Sequence, residues 1–391
     1  MKQEYKKTFE QIHVSDELEE KLLNIPQNIS SDNKQKRYTN RRFAYVALVV
    51  AMLICVPTIS VLAANGFDVK AVFGGVFGDK VAIVEDNAAL PEVNVLSNTF
   101  ENLDIAITGI VGDKNLMHIS MDITKKDGSS FSKEEEEKFN AYICLKEFND
   151  LVPEEVIKGQ REGIDIGGSG IGVTGTNVDG VEYEQTTSEQ FHPVYNDKEN
   201  NKLSLVYAAS IDAIIGGEVR NIPGETIYFR IREIDGEDSF GDGLWEVEFT
   251  ANYKETDSIK LDVNQVAHMP EWGEDDKYIE ETEMMVNSVE LSPLRLRYIC
   301  EYSKKSDYLY DGESFWDKIY IVMDDGSAVG NRSSFENYLN SVKGESENIG
   351  FGISGSSING GDWECDVIFD KPIDITKVKE IHIGNLTIDV K

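Results

Sequence analysis

Cysteine is scarce in this 391-residue chain, with only Cys55, Cys144, Cys300 and Cys365. Cys55 lies in an apolar run, which leaves an odd number beyond it and no disulfide framework. Cys300 and Cys365 fall in one segment and are able to pair, although buried free thiols are the preferred reading. Histidine is nearly as rare, with His13, His118, His192, His268 and His382. No HExxH, CxxC, GxSxG or phosphate-loop motif occurs, so no nucleophile, base and orienting group assemble, and no cofactor or metal set is expected. His118 and His382 sit in alternating apolar patterns and read as structural.

Positive charge is also in short supply. The chain holds 38 Lys and Arg against 71 Asp and Glu, a net charge of −33. The imbalance is uneven. Residues 1–42 are close to neutral at +2, and the remainder carries −35. So acidic a part repels nucleic acid and anionic lipid headgroups, which leaves nucleic acid out as a partner. Cationic partners or divalent ions suit it better, and the plainer reading is a well-solvated acidic surface. Asp235, Glu237, Asp238 and Asp242, with Glu246 eleven positions after Asp235, resemble a calcium loop. Phe240 stands where such a loop needs glycine and no helices flank it, so Glu246 reads instead as the outward residue of a strand.

What is present begins with FAYVALVVAMLICVPTISVLAA, residues 43–64, which has no charged residue. As a helix its length matches a bilayer's hydrocarbon core, about 30 Å. Lys34, Lys36, Arg37, Arg41 and Arg42 precede it, so the N-terminus is expected in the cytoplasm and the rest outside the cell. Pro57 is tolerated in such a helix. A cleaved signal peptide is the rival reading, because Val61-Leu62-Ala63 before Ala64 offers small residues to a peptidase. The 42 residues ahead of the run are too long for an ordinary leader, so a retained anchor is preferred. A regulated cut at Ala63 and Ala64 remains compatible with it.

The tail ahead of the anchor reads as two short amphipathic pieces. Phe9 and Ile12 are apolar. Ser15 is an N-cap, followed by Asp16 and Glu17 at the positive end of a helix. Leu18, Leu22 and Ile25 then fall on one face with Leu23 beside them, and Pro26 ends the helix. So short a tail has no core of its own. Phe9, Ile12, Leu18, Leu22 and Leu23 therefore need either a protein partner or no function at all.

Beyond the anchor, 65–89 reads as a membrane-proximal stalk or short amphipathic helix with Phe73, Val76 and Phe77 apolar. Strand patterns follow: Leu103 to Ile107, Met117 to Ile123, Leu244 to Phe249 and Leu294 to Tyr298. Asp127-Gly128, Asp179-Gly180 and Asp325-Gly326 mark turns. GIGVTGTNVDGVEYE (170–184) and GFGISGSSINGGDWE (350–364) share four glycines, an aromatic and a glutamate at an offset of 180 positions. Strands at Ile227-Tyr228-Phe229 and Ile381-His382-Ile383 follow the two copies. The expectation is a mainly β chain with two tandem sandwiches, 90–255 and 260–391, and Glu274-Asp275-Asp276 as interdomain linker. Each copy spells GxGxxG, but poor helix formers follow, so a dinucleotide fingerprint is set aside in favour of a bulge or tight turn.

The stretches YKKTFEQIHVSDELEEKLLN and LWEVEFTANY around a single anchor resemble bacterial membrane proteins carrying a domain of unknown function of the 4179 type. LSPLRLRY and FDKPIDITKVKEIHIGNLTI resemble the immunoglobulin-like domain often appended to them. The resemblance implies a tail (1–42) that binds an extracytoplasmic-function sigma factor, an anchor (43–64) in membrane lipid, and immunoglobulin-like ectodomains that respond to an unknown extracellular ligand. On that reading regulated proteolysis releases the sigma factor. The tail lacks cysteine and has only His13, so it does not build the zinc fold of some anti-sigma domains.

Overall fold

The computed structural model describes residues 67–136, 139–152, 171–177, 179–197, 201–233, 243–272, 278–302, 319–330, 347–348, 351–358 and 362–391. Residues 67–391 form one compact unit. The apolar run 43–64 and the tail lie outside the described residues. Among the described residues no helix is long and apolar enough to cross a membrane.

The first described element is helix α1 (Val69–Phe77), where Asp68 caps the start by accepting from the Lys70 and Ala71 amides. Gly78 closes it with φ of 55°. Nine residues containing Gly74 and Gly75 make a weak helix in isolation. Packing holds it: Phe73 and Phe77 are fully buried and stacked at 5.4 Å. Rather than standing free as a stalk, this segment is built into the β structure.

The rest is mainly antiparallel sheet. The first half carries β1 (Val93–Asn98), β2 (Leu103–Gly112), β3 (Leu116–Lys125), β4 (Phe139–Leu145), β5 (Ile171–Thr176), β6 (Glu182–Asp197), β7 (Lys202–Ile215), β8 (Glu218–Arg220), β9 (Thr226–Glu233) and β10 (Leu244–Thr250). The second carries β11 (Ile259–Trp272), β12 (Tyr278–Leu291), β13 (Arg295–Tyr302), β14 (Ile319–Met323), β15 (Ala328–Gly330), β16 (Glu347–Asn348), β17 (Phe351–Ile358), β18 (Asp362–Phe369), β19 (Val378–Ile383) and β20 (Leu386–Asp389). Short helices α2 (Lys133–Glu136) and α3 (Lys146–Leu151) flank β4.

Each half has two sheets. In the first the orders are β2-β3-β7-β6-β5, with β8 on β7, and β1-β10-β9-β4. In the second they are β11-β12-β13-β18-β17 and β16-β15-β14-β19-β20. One apolar core joins the first two sheets and includes Ile119, Tyr207, Phe229 and Trp245. Another joins the second two and includes Leu296, Tyr298, Val367 and Ile381. Strand alternation accounts for both, since successive side chains point to opposite faces.

The sequence repeat is displaced from the topological one. Central strand β3 pairs with β7 and β7 with β6; in the second half β13 pairs with β18 and β18 with β17. The second glycine-rich copy, β17–β18, therefore takes the place of β6–β7, whereas the first copy, β5–β6, lies one strand further out at the sheet edge. The registers differ too: Gly175 faces Tyr183, but Gly355 faces Cys365. The strands around Ile227 and Ile381 do occupy matching places, each between its neighbours in β4-β9-β10 and β14-β19-β20.

Both glycine-rich copies are antiparallel hairpins, so neither opens a helix for a dinucleotide. Gly175 answers to side-chain packing rather than a bulge: a Cβ there would lie 2.5 Å from the Tyr183 hydroxyl. Gly175→Ala should cost about 1–3 kcal/mol as the ring is forced away from Phe148, a loss readable in urea unfolding. The three Asp-Gly turns form as expected, with glycine φ of 80°, 82° and 82°. Glu274-Asp275-Asp276, expected as interdomain linker, lies outside the described residues. Trp272 and Tyr278 on either side pair with each other within the β11–β12 hairpin, and the chain passes between halves at 251–258.

Candidate functional site

Strand β13 reads Arg-Leu-Arg-Tyr, and its alternation puts Leu296, Tyr298 and Cys300 into the second core. Arg295 and Arg297 occupy the other face, where alternation alone suggests solvent. Both are nevertheless buried. The opposing wall comes from the first half. Strand β7 turns Leu205, Tyr207, Ala209 and Ile211 into its own core and presents Val206, Ala208, Ser210 and Asp212 outward. Sheet β2-β3-β7-β6-β5 is thus covered on both faces, and the two halves meet across a buried ionic cluster.

Arg297 is the centre of that cluster. Its Nε and Nη2 donate to the two Asp366 oxygens at 2.7 and 2.6 Å, a cross-strand pair within the second half. Its Nη1 and Nη2 also donate to the Asp212 oxygens at 2.9 and 3.0 Å, across the junction. Nη2 reaches Ser210 Oγ at 3.3 Å, and Nη1 contacts Glu364. One guanidinium therefore serves three carboxylates, a task for which its planar fork is suited and a lysine is not. Ser210 also donates to Asp366 across the junction at 2.9 Å.

Arg295 extends the cluster to Asp366 at 3.3 Å and to Asp113 at 3.1 Å. Asp113 closes the β2–β3 turn by accepting from the Asn115 and Leu116 amides, and it accepts from Ser292 Oγ at 2.8 Å. Tyr253 donates to the Asp113 carbonyl at 2.7 Å. Asn115 donates to Asp212 at 2.9 Å. The stretches LWEVEFTANY and LSPLRLRY thus meet at Asp113, through Tyr253 from one and Ser292 and Arg295 from the other.

The electrostatics follow from burial and neighbours. Burial acts against ionised Asp366, but Arg297 and Arg295 outweigh it and hold its carboxyl down to about 2. Glu364 goes the other way: burial first, with Asp212 and Asp366 adding repulsion, overrides Arg297 and lifts it to about 7. Arg297 is held well above its usual range: burial opposes the charge, but Asp366, Asp212 and Glu364 more than compensate. Burial also pushes the Tyr253 hydroxyl up, so it stays a donor.

Oxygens of Asp212, Glu364 and Asp366 lie within 4.8 Å of one another, a spacing that suits a cation. The cation they hold is the Arg297 guanidinium. Beside the cluster runs an apolar seam formed by α1 (Val69, Phe73, Phe77), the first half (Val111, Leu116, Val206, Ala208) and the second half (Leu294, Ile368). Phe77 packs edge-on to buried His118 at 5.5 Å. His382 is stacked on Tyr320 at 4.3 Å and held by Glu380. Cys300 and Cys365 are free and buried on neighbouring strands.

Phe9, Ile12, Leu18, Leu22, Leu23, Ala63 and Ala64 lie outside the described residues, as do Asp235, Glu237, Asp238 and Asp242. Glu246 is a partly exposed strand residue that accepts from Tyr228. The ionic junction of Arg295 and Arg297 with Asp212, Glu364 and Asp366 was not among the sites expected from the sequence. The signal available was arginine at two alternating positions of a strand, opposite an Asp-bearing partner.

No family model matches the chain, and no curated protein matches it. Among solved structures, the crystal structure of the conserved domain protein from Bacillus anthracis is similar over 78% of each chain, with 10% identity and a TM-score of 0.35. At that score the likeness carries no argument.

Proposed function

We propose that this chain is a membrane-anchored regulator of anti-sigma type. The tail 1–42 holds an extracytoplasmic-function sigma factor, 43–64 crosses the membrane, and the acidic remainder faces outward and responds to an envelope signal. The observation that carries this reading is the partition of the chain: a near-neutral amphipathic tail, a basic patch, an uncharged run of 22 residues and then a part carrying −35. Helix α1, which begins five positions after that run, is packed into the junction between the two halves. A change at the junction thereby has a short covalent route toward the anchor.

The outer part reads as two tandem immunoglobulin-like sandwiches. Support comes from strand order: β2-β3-β7-β6 with β4-β9-β10, and β12-β13-β18-β17 with β15-β14-β19-β20. These subsets match the four-strand and three-strand division of that fold, with further strands added at the edges: the full sheets have six and four strands in the first half and five and five in the second. It agrees with the resemblance to the 4179-type and immunoglobulin-like domains.

The test is retention of the sigma factor by the full-length protein. Co-purification is expected with the native tail and should be lost with Leu18→Asp plus Leu22→Asp, which place charge on the apolar face. Binding unchanged by the pair would refute the sigma-binding tail. A second reading, a cell-surface binding protein with an inert tail, is favoured by the strongly acidic outer part. Deleting residues 2–33 separates the two: the regulator loses repression, and the surface binder keeps its activity.

A further inference from the structure

We infer that the junction between the halves is a proton-gated joint: a proton at Glu364 keeps them closed on helix α1, and its loss lets them part. The geometry begins with a mismatch of charge. Two guanidinium groups, Arg295 and Arg297, face four carboxyl groups, Asp113, Asp212, Glu364 and Asp366. Asp113 and Asp212 belong to the first half, and Glu364 and Asp366 to the second. Arg297 already pairs in two-point fashion with both Asp212 and Asp366. Glu364 is the third carboxyl on one cation, and its oxygens lie close to those of Asp212 across the joint.

Full ionisation therefore sets like charges against each other across the boundary that Arg297 must bridge. Protonation of Glu364 removes that repulsion and leaves both Arg297 forks intact. The strands beside Glu364 set the balance among the described residues. Strand β13 contributes Arg295 and Arg297, β18 contributes Asp366, and β7 contributes Asp212. Strand β17, which pairs with β18 at Ser356↔Glu364, has no titratable residue, and β6 places Thr186 opposite Asp212. The Glu364 side chain is 15% exposed, so protons reach it while its charge remains poorly hydrated.

The sign follows from linkage. In the closed joint Glu364 titrates at about 7, above the ordinary carboxyl value of 4.5. Its contribution to closing is therefore fully present below about 4.5 and lost as pH rises through about 7. Asp366, held near 2, contributes oppositely, and its share is lost only in strong acid. The joint is thus tightest in mild acid and loosens as pH rises to neutrality. Parting the halves removes Leu294 and Ile368 from the seam around Phe73 and Phe77, so α1 loses one of its walls. In the regulator proposed above, proton activity outside the cell would then be a signal. That consequence rests on the regulator reading, whereas the joint does not.

Amide exchange in the full chain, corrected for intrinsic rates, tests the joint. Protection of the peptide covering 67–84 should fall about tenfold between about pH 6 and about pH 8. Glu364→Gln, which mimics the protonated form, should keep its protection at both values. Asp212→Asn removes a charge that raises Glu364 and should shift the native transition to lower pH and shrink it. Equal protection of the native chain at both pH values overturns the joint, as does a Glu364→Gln variant that loses protection as the native chain does. If Glu364→Gln does not fold, an Asp212→Asn chain with an unshifted transition overturns it as well. Loss of sigma-factor binding in the tail variant would test only the regulator reading.

Discussion

Replacing Arg297 by methionine is expected to destabilise the unit 67–391 by about 3–5 kcal/mol, the usual cost of breaking a buried ion pair on one side. The cost does not arise from losing attraction alone. Asp366 and Asp212 each give up a two-point partner, and with Glu364 they remain as three carboxyls in a confined space. Methionine fills much of the arginine stem's volume, so the effect isolates the guanidinium. Arg297→Lys should recover only part of the loss, because one ammonium cannot fork to two carboxylates. Denaturant unfolding of the full chain measures both. A loss under about 1 kcal/mol for methionine would show that the cluster is solvated and does not hold the halves together. A double-mutant cycle between Arg297→Met and Asp212→Asn isolates the part of the coupling that crosses the junction.

Phe77→Ala carries the second large expected effect, about 3–5 kcal/mol. Phe77 is fully buried, stacked on Phe73 and set edge-on to His118, at the centre of a seam drawn from α1 and both halves. Its removal leaves a cavity that a sheet on one side and a short helix on the other cannot close. Because α1 is weak by itself, its docking is also its folding. Amide exchange should therefore show 67–84 opening at much lower free energy than the β strands, in addition to a drop in overall stability. An exchange pattern in which helix and strands weaken equally would mean that α1 and the sheets unfold as one.

The strand patterns were legible because alternation is a local property. Met117 to Ile123 and Leu294 to Tyr298 announced their core faces, and the Asp-Gly pairs announced turns that need positive φ. The repeat was legible as sequence but misleading as topology. Gly175 is required by the close Tyr183 ring, whereas Gly355 pairs with Cys365, so likeness between β5–β6 and β17–β18 does not assign them the same place in a sheet.

The ionic junction was beyond a local reading. Arg295 and Arg297 occupy the positions where an outward strand residue is ordinarily solvated, and nothing in LSPLRLRY says that a second sheet lies opposite. The sequence by itself determined the mainly β character, the two inward faces and the turns, because these depend on periodicity and backbone conformation over a few residues. Tertiary structure alone decided that Asp212 and Arg297, 85 positions apart, share a guanidinium fork, and that α1 is packed at the junction of the two halves. Burial of a charge is a property of what approaches it from elsewhere in the chain, and that approach is set by the packing of whole sheets.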